Sequence, residues 1–292
     1  MKYFYYPGCT LEGTALEYNL STRAFMAAVG ADLLEIEDWT CCGATVAEPT
    51  SKLLSLALPA INIAIAEKAN AESQKDNLDI LVPCSACYLN LKRVEEVARK
   101  DSVLLQKINQ VIDVKGLSVH GTVRVRHLLD VIATDIGPKA IRNRLKKSLD
   151  GLSIAPYYGC QCLRPYRVFD DPELPRSMEP MLQAAGASVH SWKMGSKCCG
   201  ASHMTTKPEV GLELVAAILK AAKGADAIVT VCPMCQMNLE GFQKKISRKH
   251  KEDLRISILY LPQLLGIALG LSEKDVRLDL NLAVTDSFRK KI

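Results

Sequence analysis

The sequence predicts an α/β protein of two tandem domains related by a pseudo-twofold axis, each a small, mostly parallel sheet flanked by helices. Three observations predict it. Short apolar, aromatic or β-branched runs alternate with longer stretches of helical spacing, the order of a parallel sheet with helical crossovers. The alternation occurs twice, over residues 1–150 and 151–292, with the same landmarks in the same order. Those landmarks, cysteines, fall at the ends of the predicted strands, where parallel sheets place their ligand sites.

In the first half, KYFYYPG (2–8) reads as a strand running into a Pro-Gly loop that holds Cys9. Residues 14–29 have helical spacing, and Gly30 is a stop signal. DLLEIE (32–37) is a second strand, followed by the loop WTCCGAT. A helix runs from about Ser51 to Gln74; its apolar stretch 53–66 is broken by Pro59 and Asn62, so it reads as a buried helix. DILVPC (79–84) is a third strand, and CYLNLKRVEEVARK opens a further helix.

The second half repeats this order. SIAPYYGC (153–160) restates YYPGC with one residue fewer, residues 176–185 are helical, and SVHSWK (188–193) is a strand leading to KCCGAS. Residues 208–223 form a helix, and DAIVTVCPMC (226–235) restates DILVPCSAC. The agreement extends beyond cysteine. GAD (30–32) matches GAS (186–188), Asn90-Leu91 matches Asn238-Leu239, and VRVRHLLDVI (123–132) matches ISILYLPQLL (256–265). The gap between the paired cysteines and the CxxC pair is longer in the first half, and helix 51–75 accommodates the excess. Gly43 and Gly200, which follow the paired cysteines, are expected to allow tight turns and close approach to a bound group.

Composition narrows the function. A net charge of +5 on 292 residues is too weak to point to nucleic acid. No apolar run reaches the roughly 18 residues a membrane helix needs. MKYFYYPGC lacks the apolar core of a signal peptide, so a cytoplasmic location is expected. Eleven cysteines in a reducing compartment favour metal over disulfides.

Ten of the eleven fall into two equivalent sets: Cys9, Cys41, Cys42, Cys84, Cys87, and Cys160, Cys198, Cys199, Cys232, Cys235. Zinc takes four ligands in a tetrahedron and leaves a fifth thiolate unexplained in each half. Five soft donors suit an iron–sulfur assembly, although the ferredoxin run of closely spaced cysteines is absent. Zinc and thiol–disulfide chemistry stay open as alternatives.

The order C…CCG…CxxC, twice, with YYPGC near the start and PYYGCQCLRP at 156–165, resembles the CCG cysteine-rich domain family. Within it, the chain is most similar to the heterodisulfide reductase B branch. That resemblance implies two noncubane [4Fe–4S] clusters, one per domain, each held by one set of five cysteines. It implies reduction of the mixed disulfide of coenzyme M and coenzyme B to two thiols in methanogenesis, with no catalytic residue beyond the cluster ligands. The chain has no flavin or nicotinamide fingerprint. By the resemblance, electrons come from a ferredoxin-like iron–sulfur subunit and a flavin subunit of the same complex, fed by a hydrogenase or formate dehydrogenase. The alternative within the family is an iron–sulfur electron-transfer subunit of a glycolate-, lactate- or succinate-type oxidoreductase.

Such a substrate carries anionic ends, which makes Arg164, Lys193, Lys197 and His203, all close in sequence to cluster cysteines, its candidate partners. Cationic side chains near loops are ordinarily solvated, and a histidine there also serves to hydrogen-bond the loop. Cys162 is left over as a buried thiol beside Cys160. The basic stretches 139–147 and 244–251 read as exposed helix faces, with docking to an acidic redox partner as the sharper reading.

Overall fold

The computed structural model describes residues 1–73 and 77–292. The expected last residue of the long first-half helix, Gln74, lies outside the described residues. Among the described residues eight strands form: β1 (Lys2–Tyr5), β2 (Asp32–Glu35), β3 (Ile80–Val82), β4 (Val125–His127), β5 (Ser153–Tyr157), β6 (Ser188–Val189), β7 (Ala227–Thr230) and β8 (Ser257–Tyr260). They make two four-stranded sheets, ordered β2-β1-β3-β4 and β6-β5-β7-β8. Every pairing is parallel.

Burial explains the order. β3 and β7 are buried along their whole length, as central parallel strands are. β2 carries Asp32 and Glu35 and is largely exposed, which suits an edge. In both sheets the chain moves from the first strand to one edge, then returns to the other side of that strand. The order therefore reverses between β1 and β3, and between β5 and β7, where open α/β sheets leave a crevice at their carboxyl ends.

The long helix Lys52–Ser73 has 22 residues, against 14 in its counterpart Pro208–Ala221, so the longer first-half gap is taken up as helix. Pro59 and Asn62 are both buried inside it. Helix Ser85–Lys100 starts directly after β3 and buries most of its first eight residues. Asp101 then accepts the Leu104 N–H at 2.9 Å and starts helix Ser102–Ile112.

Two second-half elements are shorter than their sequence suggests. The strand expected over 188–193 is only Ser188–Val189, because the Trp192 indole turns back to donate to the Pro156 carbonyl at 3.1 Å. The helix expected from 176 begins at Glu179, because the Asp170 carboxylate holds the N–H groups of Arg176 and Ser177 in a loop.

The chain folds as two compact units: Met1–Thr14 with Gly30–Leu128, and Ala15–Val29 with Leu129–Ile292. A cut at residue 150 thus separates the sequence repeats, while the compact units divide the chain differently. In the first unit, helix Lys52–Ser73 packs on helices Ser85–Lys100 and Ser102–Ile112. In the second, helix Leu16–Ala28 packs on helix Leu261–Ala268. Tyr18 stacks on Tyr260 with ring centroids 3.9 Å apart, and its hydroxyl donates to the Val231 carbonyl at 3.1 Å. Among the described residues no helix is long and apolar enough to cross a membrane.

Candidate metal centres

Each set of five cysteines converges at the carboxyl edge of one sheet. In the first, Cys9 follows β1, Cys41 and Cys42 follow β2, Cys84 follows β3, and Cys87 sits in the first turn of helix Ser85–Lys100. Two sulfur–sulfur contacts of the first set are short. Cys9 Sγ lies 3.5 Å from Cys41 Sγ, and Cys42 Sγ lies 3.4 Å from Cys87 Sγ. Cys41 and Cys42, and Cys87 and Cys84, lie close enough to perturb each other's acidity. In the second set the same holds for Cys160 with Cys198, and for Cys235 with Cys199 and Cys232. All eleven thiols are unbridged.

Burial is graded alike in both. Cys42, Cys84 and Cys87 are buried, as are Cys199, Cys232 and Cys235; Cys9, Cys41 and Cys198 are exposed and Cys160 is half-buried. Each set therefore has three inner sulfurs and a less buried outer pair, of which Cys160 is only partly exposed.

Crowding splits the thiol acidities. The Cys41 thiol, helped by Cys87, holds Cys42 down at about 3, and Cys41 and Cys87 are pushed up in return. Cys160 likewise holds Cys198 down at about 6, with smaller help from the Gly200 N–H, His203 and Arg164. Five thiolates at contact distance repel one another, so ionising a whole set needs positive charge among them.

The donor set fits a soft, polynuclear metal group. All donors are sulfur, which favours iron–sulfur or zinc over hard cations. Among the described residues no group of three or more His, Cys, Asp or Glu side chains is placed to hold a single metal ion. Five sulfurs gathered at one sheet edge suit a group with several metal atoms. The backbone leaves it space. Gly8 and Gly159, at φ +71° and +70°, face Cys87 and Cys235; a Cβ there would meet those sulfurs at 2.9 and 3.0 Å. The N–H groups of Gly43 and Gly200 donate to Cys41 Sγ at 3.5 Å and Cys198 Sγ at 3.3 Å, the kind of bond that tunes a metal-bound thiolate.

The fold corrects one alignment and adds two pairs of supporting residues. Tyr5 sits beside Leu81 and Pro156 beside Val229, three residues before Cys84 and Cys232. The match is therefore ungapped, Tyr6-Pro7-Gly8-Cys9 with Tyr157-Tyr158-Gly159-Cys160, not a motif shortened by one residue. Tyr6 donates to the Thr40 carbonyl at 2.7 Å, and Tyr157 donates to the Lys197 carbonyl at 2.6 Å. Each carbonyl directly precedes a cysteine pair. Asn90 donates to the Cys42 carbonyl at 3.2 Å, and Asn238 to the Cys199 carbonyl at 3.1 Å. Counting back three residues from the first cysteine of each half would have found the tyrosines. The repeated Asn-Leu offset marked the asparagines without revealing their role.

The four candidate cations part company. Arg164 is tied to Glu173 at 2.5 Å and to the Ser196 carbonyl, so it braces the loop. His203 ends the short turn Ala201–His203 and acts on Cys198 through charge. Lys193 and Lys197 line a cavity beside β6. Cys162 is buried and donates to the Tyr158 carbonyl at 3.2 Å.

Two parallel sheets, each gathering five thiols at its carboxyl edge, define a tandem thiol-cluster α/β protein. The cysteine-rich CCG domain model matches residues 3–92 and 154–240, and the chain belongs to that family. It is 33% identical over 285 residues to an 8-methylmenaquinol:fumarate reductase membrane anchor subunit of Wolinella succinogenes, covering 96% of each chain. It is 27% identical over 294 residues to the B subunit of a ferredoxin/F420H2-dependent CoB–CoM heterodisulfide reductase of Methanosarcina acetivorans, covering 98% of this chain and 95% of that one. It is 25% identical to a protein of Archaeoglobus profundus described as like the B subunit of heterodisulfide reductase, covering 94% and 93%. A crystal structure of a hypothetical protein from Helicobacter pylori superposes with a TM-score of 0.75 at 15% identity. That match covers 97% of this chain but spans only 52% of the other, and it speaks to the fold alone. These relatives place the chain in an oxidoreductase-subunit family, and the family implies iron–sulfur clusters.

Proposed function

We propose that this chain carries two noncubane [4Fe–4S] clusters, one on each set of five cysteines, and is the disulfide-reducing subunit of a heterodisulfide reductase-type complex. The observation that carries the reading is the graded burial of the sulfurs. Beside three buried sulfurs, each set has an outer pair that solvent reaches: Cys9 and Cys41 are exposed in the first, and Cys198 is exposed with Cys160 half-buried in the second. A centre meant only to relay electrons gains from complete burial; one that meets a sulfur substrate needs an open edge. The relatives named for heterodisulfide reductase agree.

The reaction, RSSR′ + 2e⁻ + 2H⁺ → RSH + R′SH, needs two electrons, and iron–sulfur clusters supply them singly. The chain's own residues fix the geometry. Tyr6, Tyr157, Asn90 and Asn238 hold the paired-cysteine loops by their carbonyls. Gly8 and Gly159 leave room beside Cys87 and Cys235. The electrons come from partner subunits, an iron–sulfur protein of ferredoxin type and a flavoprotein. The substrate is the mixed disulfide of coenzymes M and B, or one of like chemistry.

A second reading has its own support. The relative at 33% identity is named for fumarate reduction by a menaquinol, which favours an electron-transfer subunit between a quinol and a fumarate-reducing partner. The test is anaerobic purification with iron and acid-labile sulfide analysis, then turnover with reduced viologen and the mixed disulfide. Thiol release supports the first reading. A cluster-loaded chain inert to the disulfide, which supports fumarate-linked quinol oxidation once partners are added, supports the second. A chain holding zinc refutes both.

A further inference from the structure

Both repeats have a hollow beyond the edge strand, on the segment leading to the paired cysteines. In the first repeat it measures about 490 Å³ and is lined by Glu12, Glu35, Glu37 and Asp38 around Trp39. In the second it measures about 900 Å³, and its lining includes Trp192 with Arg176, Lys193 and Lys197. Equivalent places have diverged to opposite charge.

The larger size comes from an added loop. From the first cysteine to the next helix the first repeat uses only Cys9 to Leu16, whereas the second runs from Cys160 to Glu179. The added residues supply Leu174, Pro175 and Arg176 to the wall. The loop is preorganised: Asp170 accepts from the N–H groups of Arg176 and Ser177, and Asp171 from those of Glu173 and Leu174. The opposite wall is fixed too, since the Trp192 indole donates to the Pro156 carbonyl and the Lys197 carbonyl accepts from Tyr157.

The charge inside is unbalanced. Of the two carboxylates of the cavity, Glu173 pairs with Arg164 outside the lining, while Glu179 accepts the Tyr158 hydroxyl and lies close enough to Arg176 to feel its charge. Arg176, Lys193 and Lys197 are exposed, and none of them forms an ion pair among the described residues. A preformed hollow with an indole and prolines on its walls and an excess of cations, Lys193 and Lys197 beside Arg176, complements an anion with an apolar body.

We infer that the cleft of the second repeat binds a small organic oxyanion, a carboxylate, sulfonate or phosphate carried on an apolar body, and that its acidic counterpart in the first repeat does not. Arg176, Lys193 and Lys197 hold the anionic end, and Trp192 with Pro175 and Pro180 covers the apolar end. Lys197, in the cleft wall, directly precedes Cys198 of the second sulfur set in the chain. The inference does not depend on whether the chain reduces a disulfide.

The test uses the full cluster-loaded chain and four probes: 3-phenylpropanoate, 3-phenylpropanesulfonate, phenyl phosphate and the neutral 3-phenylpropanol. Binding is read by calorimetry and by saturation transfer from protein to probe. At least one anion should bind roughly tenfold or more tighter than the alcohol. The double variant Lys193→Glu/Lys197→Glu should weaken it by at least about tenfold, the milder Lys193→Gln/Lys197→Gln by less, and Glu37→Lys in the counterpart not at all. Thermal midpoint and visible spectrum report that each variant is folded and loaded. Equal affinity for anion and alcohol, no binding of any probe, or anion affinity unchanged in a folded double variant overturns the inference. None of these outcomes bears on disulfide turnover.

Discussion

At the scale of single residues, the two sulfur sets share nearly every support, so their differences are informative. Asn90 and Asn238 both hold the carbonyl of the second paired cysteine. Asn90 also lies within hydrogen-bonding reach of Cys42 Sγ, at 3.7 Å. An N–H bond to a metal-bound thiolate stabilises the reduced, more negative state and raises the potential. With the proposed clusters bound, Asn90→Leu should therefore move the potential of the first centre to more negative values, and Asn238→Leu should move the second centre by less. Each substitution removes a buried donor and should lower stability by about 1–3 kcal/mol. Redox titration followed by paramagnetic resonance reads the potentials and thermal melts read the stability. Equal shifts from both variants would mean that the sulfur contact carries no weight.

At the scale of elements, helix Pro233–Gly241 starts beside the second sulfur set and ends on a buried carboxylate. Burial is the main cause that raises Glu240 to about 7, and nearby Glu17 adds to it, while the Ala283 N–H and Asn281 oppose. The folded chain therefore keeps a proton that the unfolded chain has released. Stability from this group is complete below about pH 4.5 and is lost as pH rises through about 7, a difference on the order of 3 kcal/mol. Glu17, raised mainly by burial, acts in the same direction. Unfolding midpoints across that range should fall with pH in the parent and fall less in Glu240→Gln. A parallel slope in the variant would remove Glu240 as the cause.

Much of this scale was legible in the sequence. β1, β3, β5 and β7 follow from continuous apolar runs that end in Pro, Gly or Cys, and the long helix Lys52–Ser73 follows from spacing alone. The first-half strands expected over 32–37 and 79–84 are each shorter by a residue or two at their ends, and the larger misreadings lie in 153–193 of the second half. There a polar group recruits the backbone locally: Asp170 keeps 176–178 out of the helix, and Trp192 turns 190–193 away from the strand. Hydrophobic period carries no trace of such side-chain-to-backbone bonds. The same holds at the candidate centres. Cysteines announce themselves by type and spacing, while Tyr6 and Tyr157 do their work through a hydroxyl that pattern cannot distinguish from core packing.

At the scale of the whole molecule, the chain is duplicated in sequence but divided unevenly in space. Helix Leu16–Ala28 belongs by sequence to the first repeat and by packing to the second unit, where Tyr18 stacks on Tyr260 and reaches the Val231 carbonyl next to Cys232. A fragment 129–292 lacks that helix and leaves the face of helix Leu261–Ala268 uncovered. Expressed alone, it should be less stable and aggregate more than the same fragment supplied with residues 15–29 as a peptide. Indifference to the peptide, in melting and in light scattering, would show that the helix is dispensable.

The chain passes from one unit to the other at 14–15, at 29–30 and at 128–129. A protease nick near residue 150 accordingly does not yield two self-sufficient halves. The leading piece leaves with a helix its neighbour needs, so the nicked pieces should migrate together on a native gel and part only in denaturant.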